Sequence, residues 1–192
     1  MTRINSIAVF CGSRLGTNPA HTMATRLLGH GLARARIRLV YGAGRVGLMG
    51  ILADAVLEAG GAVLGVIPEF LKRWEVAHEG VDMIVTGSMH DRKRHMFEES
   101  DAFLSMPGGI GTLDETIEII SWRQLRLHDK PILICDVEGS AAPLAAILQA
   151  AITNGFAAPE TQDLYEIISG VPAVLERLGE LPRRPGGPPE RL

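Results

Sequence analysis

Short apolar runs closed by glycine or proline, each followed by a stretch with helical spacing, recur along the chain and restrict its fold more than any other feature. Residues 4–11, 38–41, 62–67, 83–86, 102–106 and 131–136 are too short for helices and are apolar at successive positions rather than alternate ones. That is the pattern of strands covered on both faces, and hence of a parallel sheet. Between them, Leu27, Leu28, Gly31, Leu32 and Ala35 recur at helical spacing, as do Ile51, Leu52, Ala55, Val56 and Ala59. Asn18-Pro19 supplies a helix start, with asparagine as cap and proline in the first turn. Residues 88–100 form a polar helix of mixed charge, and residues 113–127, 143–153 and 172–178 continue the alternation. Residues 70–80 have no clear period and read as a loop or short irregular helix, while 161–169 are ambiguous. The expected fold is α/β: one domain over residues 1–181, mainly parallel sheet with helices on both faces. Residues 182–192, a Pro/Gly/Arg tail, have nothing to bury and read as disordered.

Composition narrows the function. A net charge of −3 over 192 residues provides no basic field for nucleic acid or an anionic membrane. No apolar stretch approaches membrane-spanning length and no charged-then-apolar leader opens the chain, so a cytoplasmic protein is expected. Cys11 and Cys135 each end an apolar run and read as buried thiols rather than a disulfide. The six histidines show no ligand spacing, and neither a metal nor a cofactor is expected.

In open parallel sheets, ligands bind beyond the carboxyl ends of the strands. Three glycine-bearing turns fall at such ends: Gly12-Ser13, residues 42–50, and Pro107-Gly108-Gly109-Ile110-Gly111-Thr112. The last has three glycines in four positions, a hydroxyl, and a helix directly behind it. Bare amides and the positive end of a helix dipole can there meet one anion, so Gly108, Gly109, Gly111 and Thr112 form a candidate phosphate cradle. Glu115, close behind, is an oddity beside a phosphate unless it takes part in chemistry. Thr112 to Glu115 also spells a capping box, in which Glu115 would merely fold back on the Thr112 backbone.

Residues 42–47 match G-x-G-x-x-G, a dinucleotide fingerprint when a strand precedes and a helix follows. Gly44 is then a nucleotide contact, although close helix–sheet packing explains the glycines equally. Residues 89–94 (Met-His-Asp-Arg-Lys-Arg) open the helix that precedes the cradle's strand, so Arg92 or Lys93 could reach a phosphate in the same crevice.

Together these segments resemble the LOG ("lonely guy") phosphoribohydrolases, a family of cytokinin-activating enzymes. The likeness runs from about Ile7 to Gly155 and rests on Pro107 to Glu115, Met89 to Lys93 and the glycine loop Gly42 to Gly50. The lysine decarboxylase label sometimes attached to the family fits poorly, because the three lysines show no pyridoxal-phosphate setting. The resemblance implies a Rossmann-like homodimer, with Trp122 and its neighbours as contacts. It would hydrolyse the N-glycosidic bond of AMP and N6-modified adenine nucleotides. It further implies Arg92 and Glu115 as catalytic residues, with Gly12, Ser13, Gly44, Glu75, Lys93, Gly108, Gly109, Gly111, Thr112 and Ser121 binding substrate. Ser121 stands where the family has threonine, and Ala43 where it usually has glycine. Other classes left open are a nucleotide sensor without turnover and an NAD-dependent oxidoreductase.

Overall fold

A computed structural model of the chain describes residues 4–73, 78 and 80–182. The elements follow in order: β1 (Ser6–Phe10), α1 (Pro19–Ala35), β2 (Arg38–Tyr41), α2 (Gly47–Glu58) and β3 (Val63–Pro68). After a 3₁₀ turn at Glu69–Arg73 come β4 (Asp82–Thr86), α3 (Met89–Glu98), β5 (Ala102–Ser105), α4 (Ile110–Gln124) and β6 (Ile132–Asp136). α5 (Ala142–Thr153), a second 3₁₀ turn at Pro159–Leu164, β7 (Glu166–Ser169) and α6 (Gly170–Glu180) complete the chain. Seven strands form one parallel sheet in the order β4-β3-β2-β1-β5-β6-β7.

Successive side chains on a strand point to opposite faces, so the continuous apolar runs feed two cores at once. Ile7, Val9, Leu39, Tyr41, Leu104 and Leu133 pack with Leu28 and Leu32 of α1, Leu52 and Val56 of α2, and Val174 of α6. Ala8, Phe10, Val40, Phe103 and Ile134 pack with Met96 and Phe97 of α3, Ile119 and Ile120 of α4, and Leu144 and Leu148 of α5. The α/β class with helices on both faces is therefore the observed fold. Asn18 caps α1 as its sequence suggests, its side-chain oxygen accepting the Ala20 amide at 2.9 Å.

Both edge strands depart from expectation. β4, whose apolar run read as covered on both faces, has only β3 beside it and leaves Val85 exposed. Residues 161–169 resolve into the second 3₁₀ turn and β7, an edge strand whose side chains are largely exposed. It has no continuous apolar run because only β6 covers it, and Arg177 of α6 clamps Glu166 through two 2.8 Å contacts. Of the expected tail, residues 183–192 lie outside the described residues. Among the described residues, no helix is long and apolar enough to cross a membrane.

Lys130 locks α3 to the sheet's second face. Its ammonium donates to the Phe97 carbonyl at 2.6 Å and lies 3.9 Å above the Phe97 ring. Burial draws this lysine down to about 8, with Asp101 and Glu98 opposing the shift. Between that value and the ordinary lysine pKa of about 10.4 the unfolded chain holds the extra proton, so stability tied to Lys130 rises with pH through this window. We predict that stability relative to a Lys130→Met variant improves between about pH 7.5 and about pH 10. Denaturant melts at the two pH values measure this, and a pH-independent difference would contradict it.

Candidate active site

The chain runs outward from β1 through β2 and β3 to β4, then returns to lay β5 against the other side of β1. The loops after β1 and β5 consequently diverge, and a crevice opens at this switch point. It is a cleft of about 650 Å³ lined by Gly12, Ser13, Gly108, Gly109, Ile110 and Ser140 among others. Arg14 and His21, which no motif singled out, also line it. A sequence signal for them existed only in their nearness to Gly12-Ser13.

Gly12 ties the loops together. Its amide donates to the Pro107 carbonyl at 3.1 Å, and its carbonyl accepts from the Leu48 and Met49 amides at 3.0 and 3.3 Å. Those two amides belong to the first turn of α2, the helix behind the G-x-G-x-x-G segment. The anion-binding end that a dinucleotide pyrophosphate would use is thus committed to the chain's own backbone. Gly47 completes the joint: its φ is +67°, and a Cβ there would run into the Ser13–Arg14 peptide. Gly44 is buried in the same loop.

The helix end behind the second glycine segment is disposed differently. α4 starts at Ile110 with Gly109 as its N-cap, three residues earlier than its apolar spacing suggests. Thr112 is then the third helical residue rather than the cap, and Glu115 falls in the second turn. The capping box is not formed. A Cβ on Gly108 would strike the Thr112 side chain, whereas one on Gly109 or Gly111 would meet no described residue within 4 Å. Thr112 itself is buried, and its carbonyl accepts the Thr116 hydroxyl at 2.6 Å. The first amides of a helix have no partner within it, so Ile110, Gly111 and Thr112 present theirs at the cleft end of α4.

Arg92 approaches from α3 and is buried. Its Nε donates to the Val66 carbonyl at 3.1 Å and its Nη2 to the Gly42 carbonyl at 3.4 Å. The third nitrogen, Nη1, lies 3.8 Å from Glu115 Oε1, with side-chain exposures of 8% and 13% for the pair. Gly42 is the socket for this guanidinium, since a Cβ there would fall on Nη2. Burial first, and the Glu115 charge second, hold the neighbouring Cys11 thiol well above its ordinary range, so Cys11 stays protonated.

Lys93 does not extend into the cleft. Its ammonium sits 2.8 Å from Asp114 and 3.1 Å from Glu118. Burial works against its charge, but the two carboxylates prevail and hold it above the usual lysine range. Ser121 is exposed about 15 Å along α4 from Gly111 at 1.5 Å per residue, so its own chain does not bring it to the cradle. Trp122 turns partly inward and packs edge-on against Phe97 with ring centroids 5.4 Å apart. Glu75 lies outside the described residues. The structure therefore gathers Gly12, Ser13, Gly108 and Gly109 at one cleft. Arg92 and Glu115 pair behind that lining, with Glu115 near enough to act on Cys11 and also lining a separate small pocket with Phe10, Lys93 and Trp122.

The socket gives a direct test. Gly42→Ala should destabilise the protein by about 1–3 kcal/mol through overpacking against Arg92. In an Arg92→Met background the same change should cost about 0.5 kcal/mol or less, as coupled neighbours do. Additive costs in a double-mutant cycle of denaturant melts would refute the socket.

Comparison with known proteins places the chain in a family. A family model described as possible lysine decarboxylase matches residues 49–178. A probable cytokinin riboside 5′-monophosphate phosphoribohydrolase of Oryza sativa subsp. japonica is 41% identical over 180 residues, 93% of this chain and 79% of that protein. A cytokinin riboside 5′-monophosphate phosphoribohydrolase of Rhodococcoides fascians is 42% identical over 159 residues, 82% of this chain and 80% of its own. Among solved structures, a molybdenum cofactor binding protein from Rippkaea orientalis superposes with a TM-score of 0.69 at 21% identity, covering 94% of this chain and 98% of its own. At that identity the likeness concerns the fold alone. With the glycine cradle, the buried arginine and the adjacent glutamate in place, and relatives of this identity over nearly its whole length, the chain belongs to the LOG family of phosphoribohydrolases.

Proposed function

We propose that this protein hydrolyses the N-glycosidic bond of purine nucleoside 5′-monophosphates, AMP and its N6-modified forms, releasing the free base and ribose 5-phosphate. The observation that carries this reading is the buried Arg92–Glu115 pair set beside an open helix-end cradle. A buried ion pair is weak as a stabilising device, because desolvation offsets most of its attraction. Its presence there is better explained by chemistry than by stability.

Cleavage of an N-glycosidic bond builds positive charge on the ribose and negative charge on the departing base. With the phosphate against Gly109, Gly111 and Thr112, the Glu115 carboxylate stabilises the oxocarbenium-like sugar or orients the attacking water. Arg92 provides fixed positive charge that neutralises the leaving base or holds the ribose and phosphate in place, and donates no proton. Gly12 and Ser13 shape the opposite wall. Phosphate binding fixes the sugar's position, which is why nucleotides should react far better than nucleosides. The names of the relatives support the substrate class.

A homodimer is part of the reading. Ile110, Ile117 and Leu125 are exposed apolar residues of α4 or the turn just beyond it, and Ser121 is exposed between the last two. In a pair formed there, the Ser121 hydroxyl would meet the partner rather than its own cradle. Action in the cytoplasm is also proposed, supported by two buried cysteines that form no disulfide.

Chromatography of AMP digests tests the activity. Glu115→Gln should retain AMP binding yet lose about a hundredfold to a thousandfold in turnover. Near-normal adenine release from that variant would remove Glu115 from the reaction, and AMP bound without any release would indicate a sensor. For the assembly, Ile117→Glu combined with Leu125→Glu should convert a dimer to a monomer in light scattering. An unchanged dimer would exclude α4 as the interface.

A further inference from the structure

The cleft wall opposite the glycine cradle carries a cation that the mechanism above does not use. Arg14 lines the same cleft as Gly108 and Gly109, on the loop that follows β1. Its side chain is exposed, and neither a hydrogen bond nor an ion pair joins it to any described residue. Its backbone, in contrast, is held firmly. The Gly12 carbonyl is fixed by two α2 amides, and Gly47 lets the Ser13–Arg14 peptide lie directly on the start of α2. A long flexible cation on a rigid base, at the mouth of an anion-shaped opening, is suited to closing on a ligand.

The charge balance explains what it would close on. A phosphate monoester carries roughly −1.5 to −2 at neutral pH. The end of α4 offers the equivalent of about half a positive charge. The two basic side chains of α3 that pair with α4 are already matched, Arg92 with Glu115 and Lys93 with both Asp114 and Glu118. Two cations against three carboxylates leave these side chains one negative charge in excess. A dianion seated on the α4 amides needs a further positive charge, and Arg14 is the permanent cation among the described residues lining the cleft.

We propose that Arg14 is the counter-cation of the substrate's phosphoryl group, its guanidinium fork engaging oxygens that the α4 amides leave free, and that it sets the preference for 5′-phosphorylated over unphosphorylated nucleosides. This inference rests on the phosphoribohydrolase reading for the identity of the ligand and extends it by assigning phosphate selectivity to a residue outside the glycine motif. Arginine matches a phosphate bidentately, whereas lysine acts as a point charge, so replacement by lysine should restore the function only in part.

Calorimetric titration of AMP, ribose 5-phosphate and adenosine into wild-type protein, Arg14→Gln and Arg14→Lys tests the assignment. Arg14→Gln should weaken AMP and ribose 5-phosphate by about tenfold or more while adenosine affinity is unchanged, with Arg14→Lys intermediate. The salt dependence of AMP binding should flatten in the glutamine variant. Equal AMP affinity in wild type and Arg14→Gln would overturn the proposal. So would an equal loss for AMP and adenosine, which would place Arg14 against the nucleoside instead. The AMP titrations are made in the Glu115→Gln background, which should bind AMP with little turnover. Ribose 5-phosphate is a product that is not consumed, so the two ideas separate. Wild-type protein that binds AMP but releases no adenine sinks the hydrolase and leaves the Arg14 comparison intact. Active enzyme with indifferent Arg14 variants does the reverse.

Discussion

One residue, Gly12, joins the loops that line the cleft. The Gly12 amide reaches across to Pro107 and its carbonyl reaches back to the first turn of α2. Strand ends that would otherwise diverge at the switch point are thereby held at fixed spacing. The same contact assigns different tasks to two helix ends that look alike in sequence. The leading amides of α2 are taken by the Gly12 carbonyl, whereas α4 starts at Ile110 on the cleft lining with no side-chain cap. On the proposed reading the anion sits at the helix end that is not already occupied.

The second constraint is electrostatic. Arg92 is held by two backbone carbonyls, so its position does not depend on Glu115 or on a ligand. On the proposed reading such preorganisation matters because a cation already oriented costs no rearrangement when negative charge develops on the departing base. Glu115 stands at the junction of sheet end and helix, close enough for its charge to act on Cys11 beneath it. Lys93, one residue from Arg92, stiffens the packing of α3 on α4 through Asp114 and Glu118. Adjacent basic residues on one helix therefore do unlike things, one turned to the sheet ends and one to the neighbouring helix.

Much of this was legible in the residues. Continuous apolar runs identified the central strands because burial on both faces leaves no room for alternation, and Asn18-Pro19 marked a helix start by its own chemistry. The glycine cradle was recognisable from three glycines in four positions ahead of a hydroxyl and a helix, and no described residue stands within 4 Å of a Cβ placed on Gly109 or Gly111. Other features depended on tertiary contacts that no local pattern encodes. β7 is an edge strand held by one neighbour and an arginine clamp, so its apolar signal is faint. The start of α4 was displaced because glycines that read as loop are incorporated into the first helical turn. That shift removed the capping box and freed Glu115 from a purely local role. The glycines at 42 and 47 fitted a nucleotide fingerprint, yet one makes room for a guanidinium and the other for a neighbouring loop. Lys93 looked like a phosphate ligand until its two carboxylate partners, a full helix turn apart on α4, came into view.

The central claim is geometric: phosphate oxygens rest on the leading amides of α4, with the sugar's anomeric carbon turned toward Glu115. A crystal structure of the Glu115→Gln protein soaked with AMP tests it most directly. The account predicts phosphate density against Gly109 to Thr112 and the glycosidic carbon within van der Waals contact of the residue 115 side chain. Phosphate density at the start of α2, or a nucleotide whose ribose faces away from position 115, would contradict it.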